Sequence, residues 1–147
     1  MDVLRIFHAH NKFLVLLLLV ATVVVMLGTA ARGRDYGKLQ RALFAATHGW
    51  LGVQVIAGTI LVVSMGLLPH RIEHLGMMLL AFGLMHLPLK WKKETGPDRA
   101  KKTGLVTLGV LALILVGILR LPFPFFGLPK APPASTPGAV PAASTTP

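Results

Sequence analysis

Six histidines stand in a chain that is 54% hydrophobic and only 14% charged. Within a bilayer an ionisable or metal-ligating side chain is costly, so each is a candidate for function before it is a candidate for packing. Their spacing sorts them into two levels. His48 lies about 10 Å of helix beyond Arg41, and His86 about 6 Å before Lys90. These two belong near one edge of a membrane. His8, His10, His70 and His74 cluster near the other edge. His74 and His86 are separated by roughly 18 Å along one helix.

Two levels, each with imidazoles from two helices, is the arrangement a di-haem b protein needs. His48 with His86, and His10 with His74, are the candidate haem ligands. Neutral imidazoles on opposite faces of a porphyrin hold the iron, and methionine or carboxylate would change its potential or geometry. The helical phase opposes this scheme, because His74 and His86 fall about 120° apart around their helix. A (bacterio)chlorophyll-type pigment would need one imidazole only. The structural alternative is that His48 and His86 hydrogen-bond to carbonyls or to each other, with the remaining four in water or headgroups.

His70-Arg-Ile-Glu-His74 sets two histidines at i and i+4 beside Glu73. On a helix that spacing suits zinc or copper, with His8 or His10 as a further ligand. It is not the metalloprotease pattern, in which Glu follows the first histidine directly. With no cysteine in the chain, thiolate metal sites, cysteine-ligated iron–sulfur clusters and covalent c-type haem are excluded. Hydrolase triads, P-loops and dinucleotide fingerprints are also missing, so no catalytic activity is expected.

The elements that position these residues are four apolar runs. Phe13–Ala31 carries no charge and spans roughly 28 Å as a helix, close to a hydrocarbon core of about 30 Å. It exceeds the h-region of a signal peptide and is expected to be retained. The expected helices cover about 13–31, 39–68, 72–91 and 103–120, ending respectively near Arg32, Pro69, Trp91 and Arg120. Residues 1–128 thus form one four-helix membrane domain. Residues 129–147 form a Pro/Ala/Ser/Thr-rich tail that cannot bury enough apolar surface to fold alone. Between them, Leu121–Pro129 reads as an interfacial, proline-broken aromatic segment. The fold class is an all-α integral membrane protein, a four-transmembrane-helix bundle.

Ten of the 15 lysines and arginines fall in the loops after the first and third helices. By the positive-inside rule those loops are cytoplasmic, which makes the bundle N-out and C-out. The expected location is the bacterial inner membrane. The net charge of +10 is thereby a matter of topology and not a nucleic-acid footprint. Gly49, Gly52, Gly58 and Gly66 in the second helix, and Gly104, Gly109 and Gly117 in the fourth, mark close-packing faces. Gln54 should find an interhelical hydrogen bond.

Several of these features resemble small bacterial four-helix membrane proteins described as cytochrome b-like. The resemblance lies in His8-Ala-His10-Asn-Lys-Phe13, in His48…Gln54…Gly58, in Arg71-Ile-Glu73-His74 and in Lys90-Trp-Lys-Lys93. It covers most of residues 5 to 93 and leaves out His86 and the tail. It implies a four-helix bundle in which His10 and His74 are the family-like positions, and with them haem b.

The expected function is an accessory membrane subunit of a bacterial respiratory or photosynthetic electron-transfer complex. Its partners would be the lipid bilayer and other membrane subunits, met through the glycine faces, the Pro/Phe segment and the tail. One alternative is a b-type cytochrome passing electrons between quinol and a partner, with a quinone as an additional ligand. A third is an outer-face metal-handling or transport protein.

Overall fold

The structure is a computed structural model that describes residues 2–119. Its helices are α1 (Asp2–Ala31), α2 (Lys38–Met65), α3 (Pro69–Leu84) and α4 (Pro97–Leu119), with a short 3₁₀ turn at Leu87–Trp91. No strand occurs among the described residues. All four spans are long and apolar enough to cross a membrane, the third only when the 3₁₀ turn is counted with α3. The aromatic segment after Leu119, the Arg120 boundary and the Pro-rich tail lie outside the described residues.

Local chemistry explains where each helix stops. α1 ends at a left-handed Gly33 (φ 61°), where the Arg34 N–H reaches back to the Thr29 carbonyl at 3.1 Å. Glycine takes that conformation without a Cβ penalty. Gln40 then accepts the Gly37 N–H at 3.0 Å and satisfies one of the orphan donors opening α2. α2 stops at Met65, and Gly66 (φ 90°) turns the chain toward Pro69. Proline suits the first turn of α3 because it has no N–H to leave unpaired. The Arg71 guanidinium donates to the Met65 and Gly66 carbonyls at 2.6 and 3.3 Å, closing the outer end of α2.

Several boundaries differ from the expected ones, and among them α2 stops at Met65 instead of near Leu68 and α3 starts at Pro69 instead of Ile72. α1 starts at Asp2 and α4 at Pro97, because Arg5, Lys12, Arg99, Lys101 and Lys102 are helical residues outside the apolar window. Charge limits the part of a helix that lipid can cover, not the helix itself. α3 closes at Leu84 because Pro88 has no N–H to donate back to that carbonyl.

The helices pack in a ring, each against its sequence neighbours, with α4 closing back onto α1. α1 and α3 therefore stand diagonally across the bundle. Leu19, Met26, Leu51, Met85 and Val110 fill the centre, together with the buried Thr22, Thr47, Thr103 and Thr107. Large apolar side chains also cover the outside, including Leu17, Val24, Ile56, Val63 and Leu80. Lipid gives no hydrophobic drive to bring such helices together, so packing and hydrogen bonds must hold them. A ladder between α1 and α2 provides the latter. Asn11 donates to Gln54 at 2.8 Å, Thr22 and Thr47 pair at 2.7 Å, and Gln40 donates to Thr29 at 2.7 Å. On α2 these rungs recur at Gln40, Thr47 and Gln54, a heptad step that keeps them on one face.

Candidate functional sites

At the end where α1 begins, a partly open cavity of about 160 Å³ lies between α1, α2 and α3. Val55, Leu61, Val62 and Met78 give it an apolar lining, while His8, Gln54, Arg71 and His74 contribute the polar groups. His8 comes from α1 and His74 from the diagonal α3. Gly58 makes room for the first of these. A Cβ there would stand 2.9 Å from the His8 ring, closer than real Cβ contacts come.

The hydrogen bonds assign the tautomers around this cavity. Gln54 accepts from Asn11, and its amide nitrogen lies 3.0 Å from the His8 carbonyl and 3.4 Å from His8 Nε2. An amide nitrogen only donates, so His8 Nε2 accepts and Nδ1 carries the proton. That Nδ1–H is buried and has no partner. His74 Nδ1 lies 3.3 Å from the Gly117 carbonyl on α4. A carbonyl only accepts, so Nδ1 donates and the neutral ring keeps a lone pair on Nε2.

At the other end, His48 of α2 and His86 after α3 are brought together, with ring centroids 4.6 Å apart at 80°. Phe82 packs against both, 5.2 Å from His48 and 4.8 Å from His86. His86 is exposed and donates from Nδ1 to the Phe82 carbonyl at 2.9 Å. His48 is half-buried, and its buried Nε2 has no hydrogen-bond partner.

The four candidate haem ligands are not arranged to hold a porphyrin. Two imidazoles ligating one iron point their nitrogens at it from about 2 Å each, which sets ring centroids roughly 6 Å apart. His48 and His86 instead touch edge to face. His10 is exposed and bonded to the Ile6 carbonyl of its own helix at 2.8 Å, and it does not line the cavity with His74. The cavity that His74 does share is smaller than the roughly 300 Å³ where ligand pockets usually begin. As for His70 and His74, no three His, Cys, Asp or Glu side chains gather into a metal site among the described residues.

Comparison with family models, curated proteins and solved structures finds no match.

The haem scheme passes over His8, which lines the outer cavity with His74, although the metal scheme offers it as a further ligand. A signal for it exists in the sequence. At 100° per residue, His8 lies within about 40° of Val15, Leu19 and Thr22, whereas His10 is about 140° or more from Val15 and Leu19. Polar Asn11, Thr22 and Thr29 mark the inward stripe, and His8 is in phase with it.

Proposed function

We propose that this chain is an accessory subunit of a bacterial inner-membrane electron-transfer complex, with its basic loops cytoplasmic and its own role structural. The observation that carries this reading is the outward face of α3. Glu73, Gly76, Leu80 and Gly83 are all exposed and recur at helical spacing along one stripe. Small residues let a second helix approach closely, and an open groove lies at Glu73, Gly76, Met77 and Leu80. The stripe thus has the makings of a seat for a partner's transmembrane helix. The electron-transfer assignment rests on the sequence resemblance.

A photo-crosslinking residue placed at Leu80 and, as a control, at Val24 on α1 tests this in native membranes. The expected product joins the Leu80 variant to a membrane subunit of a quinone- or haem-containing complex, with the Val24 variant giving no such product. If Leu80 crosslinks only to lipid, or to a protein outside any redox complex, the assignment fails.

A further inference from the structure

We propose that the outer cavity binds a medium-chain alkyl carboxylate, its head on Arg71 and its chain running inward between α2 and α3. The inference does not depend on the subunit reading, since no residue of the outward stripe of α3 lines this cavity.

Charge points first to an anion. Among the described residues, Arg71 is the only lysine, arginine, aspartate or glutamate lining the cavity, and no carboxylate pairs with it. Both of its hydrogen bonds, to the Met65 and Gly66 carbonyls, are made by Nη1. Nε–H and Nη2 therefore keep their donors free of any acceptor among the described residues. Together they form the edge of a guanidinium that grips a carboxylate through two parallel hydrogen bonds. That edge is open to a ligand. The buried nitrogens without a partner include His8 Nδ1 and Arg99 Nε but no atom of the half-buried Arg71. The end of α2 thus holds the cation in place by one nitrogen and leaves the other two for a partner. The remaining polar groups of the lining do not compete for the head. Gln54 is engaged by Asn11 and by the His8 carbonyl, and His74 donates to the Gly117 carbonyl.

Shape and size then choose the chain. The α2 wall runs roughly 16 Å from Met65 in to Gln54, and the α3 wall roughly 10 Å from Arg71 in to Met78. The cavity is accordingly elongated along the helices, with the cation at its outer end and Val55, Val62, Leu75 and Met78 further in. This is the polarity of a single-chain amphiphile lying as lipid lies, head at the interface and chain toward the midplane. A cavity of about 150 Å³ with apolar walls accepts benzene, a six-carbon ligand, and this one measures about 160 Å³. It therefore suits a chain of about six to eight carbons. A two-chain phospholipid is too large to enter. An alcohol of the same length fills the apolar part but brings the guanidinium no charge.

The test uses the full chain in zwitterionic-lipid nanodiscs at neutral pH, with empty nanodiscs as the reference for partition into lipid. Butyrate, hexanoate, octanoate, decanoate and dodecanoate, all ionised there, are titrated calorimetrically, with 1-octanol beside octanoate. Affinity is expected to rise about fourfold per methylene as far as hexanoate or octanoate. It should then fall at decanoate and dodecanoate, whose chains outrun the cavity, whereas partition into a bilayer rises through the whole series. Octanoate should bind about tenfold more tightly than octanol, the difference that a charge-assisted contact makes. Arg71→Gln should lose that tenfold for octanoate and leave octanol unchanged. Val62→Phe, which narrows the apolar part and keeps Arg71, should move the optimum to a shorter chain. Dihexanoylphosphatidylglycerol, a phosphate headgroup on two chains, should not displace octanoate. A series that rises without a maximum would overturn the proposal, as would octanol bound as well as octanoate or octanoate binding unchanged in Arg71→Gln. Displacement by the phosphatidylglycerol would do the same, by making Arg71 a contact for lipid headgroups. Should a variant fail to fold, the chain-length series and the octanol comparison on the unaltered chain still decide.

Discussion

Outside the bilayer, the most heavily engaged side chain is Arg99, in the first turn of α4. Its guanidinium stacks 4.0 Å over the Tyr36 ring and donates to the Lys92 and Glu94 carbonyls at 2.9 and 2.8 Å. The Tyr36 N–H donates in turn to the Thr95 carbonyl at 2.6 Å, so one loop is latched to the other. Burial pushes the Tyr36 phenol above its ordinary pKa, and the nearby Arg99 and Arg41 charges offset only part of that. A phenol whose pKa is raised by folding stabilises the fold fully below pH of about 10. That contribution is lost as pH climbs through the higher folded value. The melting temperature in detergent should therefore fall more steeply above pH 10 for the native chain than for Tyr36→Phe. Tyr36 is the only tyrosine in the chain, so the difference between the two profiles isolates it from lysine titration. Identical profiles would mean that the latch opens before the phenol ionises. The latch was not legible in the sequence, where Arg99 counts merely as one more loop charge. Nor was the choice of His8 over His10, since membership of an inward face needs a neighbour helix to define what is inward. Gln54 was legible because a lone amide in an apolar run has to find a partner.

At the scale of elements, the number and order of the helices could be read from hydropathy, because a bilayer imposes one length on all of them. Their ends could not be read from charge. Pro88 was in plain view, yet an apolar run that continues to Trp91 hides a helix that has already stopped. How closely the helices pack is decided by single glycines, and here the fourth helix offers a contrast between two of them. A Cβ on Gly104 would stand 2.7 Å from Leu27 Cδ2 and 3.1 Å from Met26 Cβ, whereas one on Gly109 would meet nothing within 4 Å. Leu27 Cδ2 can swing away, but Met26 Cβ is fixed to its backbone. Gly104→Val should accordingly cost about 1–3 kcal/mol by overpacking the α1–α4 seam. Gly109→Val should stay within about 0.5 kcal/mol of the native chain. Equal losses in a detergent-unfolding titration would show that helix propensity, and not the seam, sets the effect.

For the whole molecule, sidedness decides which compartment the outer cavity serves. Ten basic residues at one end against five at the other favour that end as cytoplasmic. The structure adds a reason why this end should stay put. Arg99 is locked between the two basic loops, and Lys102 pairs with Glu94 at 3.0 Å, so the loops form one charged cap and not two independent segments. Moving that cap across the membrane would mean desolvating all of it together. The absence of cysteine makes the question easy to ask. Asp35→Cys and Leu67→Cys each introduce a single thiol at an exposed turn position. In spheroplasts a membrane-impermeant maleimide should label Leu67→Cys at once and Asp35→Cys only after permeabilisation. The opposite pattern would invert the bundle and put His8, His74 and their cavity on the cytoplasmic side.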